Sequence, residues 1–206
     1  MTLRIPVAFG LFAALFSLDA AAEPKKADRP NVIFVLCDDL GPGDLGALWQ
    51  NGRKGKQKFT TPNMDQFAKE GMILSRHYCP APSCMASRSS LMTGRHQGHC
   101  ARRNTQFDAE IPDVHTLGSV MSKAGYATAA IGKWGMAGGP HQLSIKPVRG
   151  DRSPKTNPSH PTLRGFDYFY GYTAHRDAHY HYPKLGNRPL YDGFVDVTDR
   201  LAKCYS

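Results

Sequence analysis

The chain has 206 residues, with 26 Lys+Arg against 17 Asp+Glu for a net charge of +9, and is 41% hydrophobic and 10% aromatic. That length gives one domain or part of a larger one, and the apolar content excludes a wholly disordered chain. The 20 Gly and 15 Pro follow no period, which excludes collagen, and no internal repeat points to a solenoid.

The first predicted element is an export signal. Arg4 precedes an apolar run at 5–16, and Ala20-Ala21-Ala22 comes just before Glu23-Pro24. These are the charged start, apolar centre and small-residue exit of a secretory signal peptide. Residues 1–22 are expected to be removed and 23–206 to form the mature chain, periplasmic or secreted. No apolar run is long enough for stable membrane insertion. Residues 31–37 form a continuous apolar run, which reads as a buried parallel strand. It ends at the turn-rich loop Asp38-Asp39-Leu40-Gly41-Pro42-Gly43-Asp44, where Asp44 reads as a turn residue.

Thr61-Pro62 starts a helix with Met64, Phe67 and Ala68 on its apolar face and Gly71 as its stop. Residues 72–74 read as the start of a short strand. Residues 84–92 read as a helix ending at Thr93-Gly94, and 115–123 as another with Gly125 as its stop. A strand is expected over 126–131, ending at Gly132-Lys133-Trp134-Gly135. Residues 138–161 are polar and basic without periodicity, a loop of the length that usually carries function. Residues 166–172 return to aromatic, strand-like character. The alternation predicts an α/β domain with a mainly parallel central sheet flanked by helices.

The basic cluster Arg53-Lys54-Gly55-Lys56-Gln57-Lys58 reads as a solvated loop. A basic exported chain suits polyanions such as sulfated or phosphorylated glycans. No nucleic-acid module accompanies the charge, so nucleic acid is not an expected partner. Five cysteines cannot all pair internally, and their spacing is not that of a zinc module. Cys84 is the candidate for another task.

Ligands of such sheets bind beyond the carboxyl ends of the strands, where both Asp38-Asp39 and Lys133 are expected. Adjacent carboxylates repel unless a cation sits with them, and a hard divalent ion with oxygen ligands is the economical solution. A helix starting at Cys84 adds free N–H groups and a positive dipole end, which suit an anion.

Cys84-Met85-Ala86-Ser87-Arg88, followed by Leu91-Met92-Thr93-Gly94-Arg95, resembles the signature of the sulfatase family within the alkaline phosphatase superfamily. Ala86 stands where that family usually has Pro. The resemblance continues through residues 30–46, Thr61-Pro62-Asn63-Met64-Asp65, residues 124–134 and residues 165–172, in order. It implies an alkaline-phosphatase-like domain and a sulfuric ester hydrolase, arylsulfatase-like, acting on a sulfated carbohydrate or aryl sulfate. Cys84 would be oxidised by a formylglycine-generating or sulfatase-maturating enzyme to formylglycine (3-oxoalanine), whose hydrate supplies the nucleophilic hydroxyl. Asp38 and Asp39, with the modified Cys84, would bind one calcium ion. Arg88 would hold the formylglycine and its metal surroundings, and Lys133 would contact the sulfate.

Two departures accompany the resemblance. Gly135 follows Trp134 where the family has His, so that imidazole is absent or supplied by His96, His99, His175 or His179. The family's downstream half, with a further His, an Asp-Asn metal pair and another Lys, is not among these 206 residues. The expectation is a truncated domain with little or no turnover by itself. A phosphodiesterase or phosphonate hydrolase of the same superfamily, and an inactive domain that binds polyanions, are the alternatives. The string from His175 to Tyr182 reads as a substrate-facing or structural loop rather than a zinc site.

Overall fold

The computed structural model describes residues 29–56, 59–104, 109–136, 138, 158–175, 177–179 and 190–202. The expected signal peptide, Cys204 and most of the 138–161 loop lie outside them. The chain divides into two units, 1–37 and 38–206. In the first, residues 29–37 form neither helix nor strand, and Val32, Ile33, Phe34, Val35 and Leu36 are exposed. The strand expected over 31–37 is therefore not formed. A strand is completed by a neighbour's N–H and C=O groups, and no described residue of that unit supplies them.

In the second unit the backbone turns at Asp39 (φ 59) and enters a 3₁₀ turn, Pro42–Asp44. Asp44 is the turn residue expected, its Oδ2 accepting the Gly41 N–H at 2.8 Å. Helix α1 (Pro62–Glu70) starts with Pro in its first position, where a missing N–H costs nothing. Asp65 ties α1 to the loop before it, accepting from Ala47 N at 2.7 Å, Asn51 Nδ2 at 2.8 Å and Thr61 Oγ1 at 2.9 Å. The Asn51 bond leads in holding its carboxyl below the usual range. The apolar face expected to pack inward does not, since Met64 and Phe67 are exposed; α1 is held by this polar network instead. Residues 72–74, expected as a strand, are exposed and irregular, again without a partner strand among the described residues.

Helix α2 (Cys84–Thr93) runs as expected and stops at Gly94, which takes the left-handed conformation of a helix end (φ 64). Its serines are buried and partnered: Ser87 Oγ lies 2.8 Å from Cys79 Sγ, Ser89 Oγ 3.0 Å from Cys100 Sγ, and Ser90 Oγ accepts from Gln97. Helix α3 (Leu117–Lys123) starts behind Thr116, whose Oγ1 accepts the Ser119 N–H while Ser119 Oγ accepts the Thr116 N–H. This reciprocal cap sets the start two residues later than the expected His115.

The sheet contains β1 (Ala129–Lys133), β2 (Tyr168–Tyr172), β3 (Tyr191–Asp192) and β4 (Val195–Asp196), adjacent in that order. β1 and β2 are parallel, with Lys133 opposite Tyr172; the β3–β4 hairpin returns antiparallel, so the described sheet is mixed. A short helix, α4 (Thr198–Ala202), follows. Met85 of α2, Ala109, Ile111, Trp134, Met136, Phe169 and Tyr191 form the buried core. Trp134 is fixed there by its Nε1–H to Ser159 O at 2.9 Å and by edge-on contact with Phe166. The core thus holds α2 against the carboxyl ends of β1 and β2.

Candidate active site

Cys84 is the first residue of α2, where helix N–H groups lack intrahelical acceptors and the dipole end is positive. Met85, fully buried, anchors this turn in the core. Ser83, the residue before the helix, makes no side-chain cap, and its Oγ is buried without a hydrogen-bond partner among the described residues. The start of α2 therefore has polar capacity that the described chain leaves unused.

The β1–β2 ladder continues past both strands, with Trp134 N donating to Tyr172 O and Gly135 N to Thr173 O, each at 2.9 Å. This extension brings Thr173, Ala174 and His175 alongside residue 135. His175 Nε2 then lies 3.3 Å from Cys84 Sγ, with Nδ1 at 3.7 Å. His179, in the 3₁₀ turn Asp177–His179, places its Nε2 3.0 Å from the same nitrogen. Burial first, then the charges of Lys133 and His179, pull the His175 pKa down to about 4, with Asp38 opposing and Arg88 adding to the shift. The imidazole is neutral at pH 7.

Asp38, Arg88 and Lys133 converge separately. Lys133 Nζ reaches Asp38 Oδ2 at 2.8 Å, and Arg88 Nη2 reaches the same oxygen at 3.1 Å. Arg88 Nη1 also donates to the Lys133 carbonyl at 2.7 Å, tying α2 to the end of β1. Burial works against ionisation of Asp38, but the hydrogen bonds and charges of Lys133 and Arg88 outweigh it and hold the carboxyl below its usual range. The two cations are largely shielded from solvent, at 9% and 13% exposure, so they are poised for a desolvated anion.

The structure thus joins Asp38, Arg88 and Lys133, and joins Cys84 to His175. Asp39 makes no hydrogen bond or ion pair with a described residue. Among the described residues no three of His, Cys, Asp or Glu are grouped to hold a metal. Of the four histidines considered, the His96 and His99 rings lie 4.5 Å apart, while His175 stands at residue 84 and His179 is bonded to His175. Sequence reasoning missed Ser83, although its place just before the helix was a usable signal.

The family model described as Sulfatase matches residues 30–203. The chain is 37% identical to human Arylsulfatase D over 161 residues, covering 72% of this chain and 24% of that protein. It is 34% identical to Arylsulfatase G of Rattus norvegicus, covering 88% of this chain and 32% of that protein. Human Steryl-sulfatase is 34% identical over 73% of this chain and 24% of its own length. The chain therefore spans about a quarter to a third of these curated relatives. A solved structure from work on the metabolism of multiple glycosaminoglycans by Bacteroides thetaiotaomicron superposes with TM-score 0.62 at 26% identity, covering 82% of this chain and 32% of that one. Ps i-CgsB in complex with k-i-k-neocarrahexaose gives TM-score 0.53 at 26% identity, covering 81% and 38%. Profile, relatives and backbone agree, and the chain belongs to the sulfatase family of sulfuric ester hydrolases.

Proposed function

We propose that this chain carries the nucleophile and sulfate-binding half of an exported sulfatase that cleaves sulfate esters of a carbohydrate or an aryl alcohol. The observation that carries the reading is the convergence of Arg88 and Lys133 on Asp38 beside a helix that opens at Cys84. The residues fit a modified side chain at 84: the position is half-buried, an imidazole faces its sulfur, and the neighbouring Ser83 hydroxyl has no partner among the described residues. Asp38 and Asp39 fit calcium in kind, as hard oxygen donors, and with residue 84 they would hold it; the ion takes six to eight such ligands. When present, formylglycine supplies a hydroxyl nucleophile and calcium a Lewis acid for the sulfate oxygens.

The remaining chemistry belongs to residues of this chain. Lys133 offers a shielded ammonium to an incoming sulfate, and Arg88 fixes the position of that ammonium through the Lys133 carbonyl. The N–H groups at the start of α2 suit an anion at residue 84 and need no reorganisation as its charge grows. Carbohydrate is favoured as the substrate class because relatives include an N-acetylgalactosamine-6-sulfatase and a structure solved with k-i-k-neocarrahexaose. Among the described residues no helix is long and apolar enough to cross a membrane. A second reading is polyanion binding without turnover, which the net charge of +9 favours.

The chain produced with a sulfatase-maturating enzyme tests this. Mass spectrometry of the peptide spanning residue 84 should record conversion of the thiol to the aldehyde. Calorimetry should then record sulfate binding that Lys133→Ala abolishes. Parallel assays on sulfate and phosphate esters, against Cys84→Ala, assign the ester class. A persistent thiol at Cys84 together with sulfate binding indifferent to Lys133 would overturn the proposal.

A further inference from the structure

A ring nitrogen of histidine offers one hydrogen bond at a time. Among the described residues His175 Nε2 lies within reach of both Cys84 Sγ, at 3.3 Å, and His179 Nε2, at 3.0 Å. The two compete for it. A thiol is a weak partner and a hydroxyl a strong one, so the outcome depends on which atom residue 84 carries. The ring cannot drift far from this choice, because His175 is only 5% exposed and the extended β1–β2 ladder fixes the backbone leading to it.

The opposite wall of the ring is residue 135. A Cβ built there would lie 3.4 Å from His175 Cβ and 3.5 Å from its Nδ1, and the backbone at 135 is left-handed, with φ +73. Only glycine adopts that conformation without strain. A side chain at 135 is thus excluded by the backbone, and the space it would face is taken by His175. Among the described residues, the imidazole at residue 84 comes from the segment after β2.

We propose that His175 is a catalytic residue, the imidazole that hydrogen-bonds the oxygen carried by residue 84 in the matured site, and that His179 is the positioning residue that holds its ring while residue 84 is still a thiol. The proposal rests on the reading of residue 84 given above. While residue 84 is a thiol, Nε2 stays with His179. Once an oxygen stands there, the stronger bond forms to residue 84 and fixes the direction in which that oxygen points.

Nuclear magnetic resonance of the ¹⁵N-labelled 206-residue chain, with no added metal, tests this without turnover. Cys84→Ser places a hydroxyl at the position and Cys84→Ala removes any partner. The His175 Nε2 resonance should differ between these two variants while those of His96, His99 and His160 coincide. Identical His175 resonances in both would overturn the proposal. His179→Ala should release His175 into a mixture of tautomers; an unchanged His175 tautomer would remove His179 from its role.

In the matured protein, loss of the bond to the hydrate should favour the free aldehyde. His175→Ala, or His175→Gln if alanine prevents folding, should then react about fivefold faster with an aminooxy probe. An unchanged rate counts against His175. A wild-type chain that keeps its thiol after exposure to the maturating enzyme would refute the reading of residue 84 alone, and the serine–alanine comparison would still decide the role of His175.

Discussion

One carboxylate oxygen, Asp38 Oδ2, is shared by two cations, and this makes opposite demands on two ligands. Asp38→Asn removes the charge that Lys133 and Arg88 now satisfy. Sulfate affinity should rise, because both cations are released to an anion, while calcium affinity should fall, because a hard ligand is lost. Titration calorimetry with each ion separately checks this; a parallel fall in both would contradict the shared-oxygen account. Arg88 spans Asp38 and the Lys133 carbonyl with two guanidinium nitrogens. A single ammonium cannot match that fork. Arg88→Lys should therefore cost about 1–2 kcal/mol, a drop of a few degrees in melting temperature.

Elements meet at this site because two backbones approach closely. Gly132 and Gly171 are paired across the parallel β1–β2 ladder. A Cβ on Gly171 would come within 2.0 Å of the Gly132 carbonyl oxygen, and its φ is +155. Gly171→Ala should part the strands just before Lys133, and lost sheet signal in circular dichroism with a large fall in melting temperature is the expected result. The β3–β4 hairpin depends on His160, fully buried, stacked on Phe194 and donating from Nε2 to Gly193 O at 3.1 Å. Its Nδ1 accepts the Thr162 N–H, so the neutral ring is the one that fits. Burial pulls its pKa down from 6.5 to about 4, against a weaker upward pull from the Gly193 bond. A base whose folded pKa is depressed contributes stability above its unfolded pKa and loses it as pH falls. Stability should therefore decline between about pH 6.5 and 4, by up to about 3 kcal/mol. Chemical denaturation across that range should give the slope, and His160→Gln should reduce it to the part contributed by His175, whose pKa is also pulled down to about 4.

At the scale of the 38–206 unit, several large apolar side chains stand exposed among the described residues. β1 is an edge strand of the described sheet, and its Ile131 is 77% exposed; Phe67 and Met72 are exposed to a similar degree. An open strand edge with apolar side chains is a template for association. The chain should bind a hydrophobic dye and self-associate as concentration rises, and Ile131→Lys should reduce both without lowering the melting temperature. Light scattering decides this, and a monomeric, dye-silent chain would refute it.

Much of this was legible in the residues themselves. The string from Cys84 to Arg95, with Asp38-Asp39 and Gly132-Lys133-Trp134, carried the resemblance to the family whose model matches residues 30–203. Helix α2 and its Gly94 stop follow from local backbone preferences, and local preferences are written in adjacent residues. The strands expected at 31–37 and 72–74 rested on apolar runs alone, and a run becomes a strand only when another segment completes its hydrogen bonds. The choice among four histidines was likewise beyond any spacing rule. His175 lies 91 positions from Cys84, and only the parallel pairing of β1 with β2, continued through Gly135 and Thr173, brings its ring to the sulfur. Sequence determines which groups are available; the register of one strand against another determines which of them meet.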